Sequence, residues 1–172
     1  MRKVALDRIE IEIVAALQKN GRISNKELAA QVGLAPSSCH ERLRQLMARK
    51  VVRGVHADID PAALGIGLQA MFFVRLKDHS RPSVASFHDR ALQLGEVIAL
   101  YNVTGSEDFL VHVVARDLDH LYQLARDTLT TFGEVDHIQT LLIFEAVRRP
   151  ELPQLNLLEA PAPRARKTRK RR

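Results

Sequence analysis

The chain has 172 residues, 46% of them hydrophobic and 27% charged, and carries a net charge of +6. That apolar share supplies one ordinary core or two small ones, and it excludes a chain disordered throughout. The single cysteine, Cys39, excludes an internal disulfide framework, and no apolar run reaches the roughly 18 residues of a membrane span, so a soluble cytoplasmic protein with no membrane partner is expected.

Asp7 and Glu10 have the spacing of a capping box, and Leu6, Ile9, Ile13, Ala16 and Leu17 form an apolar stripe, which predicts a first helix over residues 7–19. The charges at Asp7, Arg8, Glu10 and Glu12 leave no apolar segment for a signal peptide. Gly21 ends this helix in a left-handed turn. Ser24 and Glu27 repeat the capping spacing for a second helix over 25–32, with Leu28 and Val32 inward, and Gly33 stops it. Pro36 stands where a first helical residue belongs, because its missing N–H would have no partner there. A third helix follows to 49, with Cys39, Leu43, Leu46 and Met47 inward. The stretch VVRGVHADID, residues 51–60, reads as a short strand pair turning near Gly54, a wing.

Residues 61–67 lie in the stretch DPAALGIG and read as a linker. Beyond it the period changes: strands are predicted at 68–77, 96–103, 109–116 and 135–147, with helices at 83–94 and 118–132. The order β-α-β-β-α-β is the ferredoxin-like split unit, which places both helices on one sheet face. The other face does not turn polar: Met71 and Phe73 oppose Phe72 and Val74, and Leu141 and Ile143 oppose Leu142 and Phe144. An apolar open face of that kind marks a partner surface, and a second copy of the chain is expected to cover it. The fold class is therefore α+β: a helix-turn-helix domain over 1–60, a linker over 61–67, a ferredoxin-like domain over 68–150, and an extension over 151–172 that ends in a disordered basic tail.

Charge follows the same division. Residues 1–60 hold 11 Lys/Arg against 7 Asp/Glu, residues 61–159 hold 8 against 13, and residues 160–172 hold 7 against none. Basic ends around an acidic middle point to a polyanion met by the ends. The small residues Ala29 and Gly33 sit four apart where a following helix must cross closely, so the second and third helices form a helix-turn-helix whose second member enters the DNA major groove. The candidate DNA-binding residues are Ser37, Ser38, His40, Glu41 and Arg44 on the exposed face, with Arg42 and Arg49 on its flanks. Seven positive charges in the terminal tail suit sequence-independent phosphate contacts, or serve only solubility.

The stretches LDRIEIEIVAALQKNGRISNKELAAQVGLAPSSCHERLRQL and YNVTGSEDFLVHVVARDLDHLYQLARDTL resemble, in that order, the DNA-binding and amino-acid-sensing domains of the Lrp/AsnC, or feast/famine, family of transcription regulators. The resemblance covers residues 6–150. It implies dimers that pair through the C-terminal sheets, assembly into octamers, and an amino acid or related metabolite bound near a Thr-Gly-x-x-Asp loop. The matching positions are Thr104, Gly105 and Asp108, with Ser106 beside them and Glu107 in a variable place. Gly105 would turn backbone N–H groups toward a ligand carboxylate, and Asp108 would pair with its ammonium. Two positions depart from the family's habit: Ala35 replaces the usual Ser or Thr cap before Pro36, and Val55 replaces an aromatic after the wing glycine.

The expectation is a sequence-specific regulator, localised to the cytoplasm and the nucleoid, with double-stranded DNA, itself and an amino-acid-like effector as partners. It has no catalytic residues and no metal or other cofactor. His112, Asp117, Asp119 and His120 lie close in sequence, but a strand running into a helix does not converge them. The rival reading within the same fold is an effector-independent, nucleoid-organising protein. An enzyme built on the acidic domain is the rival from another class, and no acid/base pair supports it.

Overall fold

Asp7 and Ser24 each accept a hydrogen bond from the backbone N–H three residues on, while Glu10 and Glu27 reach back to the N–H of the cap, so both capping boxes form. They open α1 (Arg8–Lys19) and α2 (Asn25–Gln31) in a computed structural model that describes residues 5–155. The basic tail expected at the C-terminus lies outside the described residues. Two compact units divide the chain, one formed by Asp58–Val147 and the other by the residues on either side of it.

In the helical unit, α3 (Pro36–Ala48) starts on Pro36, with no side-chain cap from Ala35. Ile13 and Ala16 of α1, Leu28, Ala29 and Val32, and Cys39 and Leu46 of α3 close one core. Met47, expected inward, is 47% exposed. Cys39 and Leu46 lie two turns apart on one line, and Met47 falls about 100° further round the helix. Gly33 takes φ 69°, and Leu34 N–H bonds Ala29 O at 2.9 Å, the fold-back that glycine permits after a helix. Lys50 makes the same fold-back after α3 at φ 59°, with Lys50 N–H on Met47 O and Val51 N–H on Leu46 O, both at 2.9 Å. A non-glycine residue there costs about 1 to 2 kcal/mol.

This fold-back overturns the expected strand pair. Leu46 O takes the N–H groups of both Val51 and Val52, which seal the end of α3 and join no ladder, and residues 51–60 contain no paired strand. Gly21 is not left-handed either. It allows close approach: a Cβ there would lie 2.7 Å from Val55 Cγ1.

The segment expected as a linker is folded into the second unit. Asp60 caps a 3-10 turn over Pro61–Leu64, and Gly67 N–H bonds Ala115 O at 3.0 Å. Any side chain at Gly67 would collide with Arg116 O, 2.2 Å from an added Cβ. After it come β1 (Leu68–Leu76), α4 (Arg81–Ala91), β2 (Val97–Asn102), β3 (Phe109–Ala115), α5 (Leu118–Gln123) and β4 (Val135–Ile143), in an antiparallel sheet of order β2-β3-β1-β4.

The helix expected over 118–132 is not uniform: α5 continues as a π turn over Leu124–Thr128 and a 3-10 turn over Leu129–Thr131. The hydroxyls of Thr130 and Thr131 bond the carbonyls of Arg126 and Thr128, diverting acceptors that a regular helix would give to later N–H groups. No helix among the described residues is long and apolar enough to cross a membrane.

Alternation sorts the strands into two faces. Ala70, Phe72, Val74 and Leu76 of β1, with Phe109, Val111 and Val113 of β3, pack against Phe87 of α4 and Leu121 of α5. Phe87 stands 4.7 Å from Phe109 and 6.1 Å from Phe132, and the Arg90 guanidinium lies 3.8 Å over the Phe132 ring. Each such ring contributes about 1.5 to 3 kcal/mol by burial. The register pairs Met71 with His112 and Leu141, and Phe73 with Leu110 and Gln139, on the open face. His112, at its centre, is buried and bonds Gln69 Oε1 at 2.9 Å.

Candidate nucleic-acid interface and effector loop

The helical unit presents α3 through three ties. Asn25 Nδ2 donates to Pro36 O at 2.8 Å, joining the start of α2 to the start of α3. Arg42 Nη1 donates to Asp7 Oδ2 at 2.6 Å, and Arg49 Nη1 donates to Glu10 Oε1 at 2.6 Å while its Nη2 reaches Ala5 O. Arg42 holds the Asp7 carboxyl below its ordinary range, helped by the Glu10 N–H. Glu10 is buried, and its carboxylate pairs with Arg49 and accepts the Asp7 N–H.

Both flanking arginines expected at DNA are therefore turned onto α1, where they fix the angle of α3. Ser37, Ser38 and His40 stay exposed on its first turns. Further along the same face Arg44 grips Glu41 with two hydrogen bonds of 2.9 and 2.8 Å, and Gln45 Nε2 donates to Glu41 Oε1 at 2.9 Å. These donors hold the Glu41 carboxyl down at about 2, Arg44 first and Gln45 second, so the pair is fully ionised at any working pH. Gln45 is a face residue that the sequence reading missed; its position four after Glu41 and one after Arg44 was the available signal. Asn25 was missed as well, because its tie is to a backbone carbonyl that no side-chain pattern reveals.

In the sheet unit, Thr104, Gly105 and Ser106 are exposed between β2 and β3, with Gly105 at φ 133°, a conformation that other residues rarely adopt. Asp108 does not face solvent as a free anion. Its Oδ2 accepts the Leu76 N–H at 2.8 Å, its Oδ1 lies 2.7 Å from His79 Nδ1, and its own N–H bonds Val74 O. The carboxylate assigned to an effector ammonium thus braces the end of β1. Its neighbour differs: Glu107 Oε2 is buried with no hydrogen-bond partner.

A pocket of about 430 Å³ opens nearby, with Val84, Ala85 and Phe109 as apolar lining and His79, Arg81 and Asn102 as polar groups. His112 and His120 do not converge: the first bonds Gln69 on the open face, the second Glu96 Oε1 at 3.2 Å. Among the described residues no group of three or more His, Cys, Asp or Glu could hold a metal ion. Burial raises the Cys39 thiol above its ordinary range, which suits core packing.

Residues 6–53 match a family model described as winged helix-turn-helix DNA-binding, and residues 69–152 match one described as the Lrp/AsnC ligand binding domain. The HTH-type transcriptional regulator AldR of Mycolicibacterium smegmatis is 43% identical over 83% of this chain and 84% of its own length. The leucine-responsive regulatory protein of Rhizobium meliloti is 35% identical over 85% of this chain and 94% of its own. Among solved structures, a transcriptional regulator from Neisseria meningitidis in complex with L-Met superposes with a TM-score of 0.81 at 30% identity, covering 90% of this chain and 99% of that one.

Proposed function

The chain belongs to the Lrp/AsnC family of DNA-binding transcriptional regulators, and from that premise we propose that it binds duplex DNA sequence-specifically through α3, under the control of an amino acid or related small metabolite. The observation that carries the DNA reading is the presentation of α3: two ion pairs and the Asn25 tie hold its inner side, and Ser37, Ser38, His40, Glu41, Arg44 and Gln45 are left facing outward. Serine hydroxyls at a helix start position the helix on phosphates, and the Arg44–Glu41–Gln45 group offers both donors and an acceptor to base edges.

Control enters at the loop of Thr104, Gly105 and Ser106. The pocket beside His79 has the mixed lining of a small-molecule site, and Arg81 supplies a cation for a ligand carboxylate. The buried, unpartnered oxygen of Glu107 is the acceptor for an ammonium, while Asp108 shapes the loop from behind. That the Neisseria relative was solved with L-Met supports an amino acid as the ligand class. The open sheet face joins two copies, so a dimer carries two α3 helices for paired half-sites on the duplex.

The test is a footprint on upstream DNA with and without each amino acid, repeated with Arg44→Ala. Discrete protected half-sites that change with one amino acid are expected, and Arg44→Ala should lose about 1 to 3 kcal/mol at the preferred site and relax its sequence preference. Featureless coverage that no amino acid alters would replace this reading with a packaging role.

A further inference from the structure

The described residues from Arg148 onward belong with the helical unit, not with the sheet they follow. A groove of about 670 Å³ runs between α1 and the segment after α3, with Val14, Leu17, Val52 and Val55 along it. Pro150 and Leu152 line the same groove, and Leu152 N–H donates to Gln18 Oε1 at 2.7 Å. The apolar surface here is incompletely covered: Val55 is 52% exposed, Leu152 71% and Leu155 64%. In the sequence, leucines recur at 152, 155 and 158, the spacing of one helical face, between the acidic Glu151 and Glu159. Arg53 and His56 border the groove, so its rim complements those acids.

We propose that the segment from Leu152 to Leu158 is the occupant of this groove and that it fixes the basic run of residues 160–172 to the helix-turn-helix unit. Leu152 is already at the groove, so the following leucines compete for it at the high local concentration of a short tether, about millimolar, which a separate partner must exceed. Burying three leucines against four aliphatic side chains supplies the attraction, and Gln18 sets the register. The consequence for DNA rests on the reading above: seven Lys/Arg tethered to the unit that carries α3 add phosphate contacts on the duplex that α3 reads.

Hydrogen exchange on the full chain tests the docking directly. Compared with the intact protein, Leu155→Asp/Leu158→Asp should exchange at least about tenfold faster over Val14–Gln18 and Val51–His56, with α2 unchanged, and truncation after Arg149 should match it. Truncation after Glu159, which removes only the basic run, should leave both regions protected. Unchanged protection in the double variant overturns the proposal, as does protection that returns with rising concentration in the chain ended at Arg149, since a second copy would then be the occupant. For the DNA consequence, the double variant should lose part of the affinity for any duplex at low salt that truncation after Glu159 loses. An intact chain that binds no duplex defeats the DNA reading alone, because the exchange result stands without DNA.

Discussion

Asp108 joins two strands and a loop through one carboxylate that is only 16% exposed: Leu76 N–H on one oxygen, His79 on the other. Replacing it by alanine strands the Leu76 N–H, so Asp108→Ala should destabilise the sheet unit by about 1 to 3 kcal/mol, read as a lower urea midpoint. Unchanged stability with a lost amino-acid response would return Asp108 to the role of ammonium partner. At this scale the sequence was legible in kind but not in direction. The Thr104-Gly105-x-x-Asp108 pattern located the loop, yet nothing in it tells a carboxylate that meets a ligand from one that closes a strand end, because the Leu76 N–H arrives from 32 residues away. The ion pairs of Arg42 and Arg49 were illegible for the same reason: their partners, Asp7 and Glu10 at the start of α1, lie 35 and 39 residues distant.

Helices were the most readable elements, since each start is written locally. The boxes at Asp7/Glu10 and Ser24/Glu27 both form as expected. The exception is α3, whose cap position holds Ala35 in an extended conformation, φ −67° and ψ 145°, with no side-chain bond. Serine fits that backbone and would accept an orphan N–H, so Ala35→Ser should raise the stability of the helical unit by about 1 kcal/mol, measured by thermal or urea unfolding. No gain would mean that Pro36 and the Asn25 tie already hold the helix start. The strand pair expected at 51–60 failed because two valines carry the same β signal whether they enter a ladder or seal a helix end. Only the left-handed Lys50, a residue with no propensity for that turn, decided the matter.

Across the whole molecule, the change from helical to alternating period marks where the first three helices give way to the four-stranded sheet, while the burial pattern of β1 shows which of its residues face the helices. The apolar open face is continuous through Met71, Phe73, Leu110, Tyr101 and Leu141. A carboxylate placed there would be buried without a partner if a second copy covers the sheet, so Phe73→Asp should sediment as a monomer and lose DNA affinity with it. A variant that remains dimeric would show that the copies meet elsewhere. The return of the chain to the helical unit after Val147 had no signal in the sequence, because a proline-flanked acidic segment reads only as an extension.

All three arginines at α3 have carboxylate partners: Arg42 with Asp7, Arg44 with Glu41, Arg49 with Glu10. If α3 is the reading helix proposed above, Arg44 must give up its two hydrogen bonds to Glu41 before it can donate to a base edge, so what it adds at a target is the difference between two sets of bonds and not the whole of the new one.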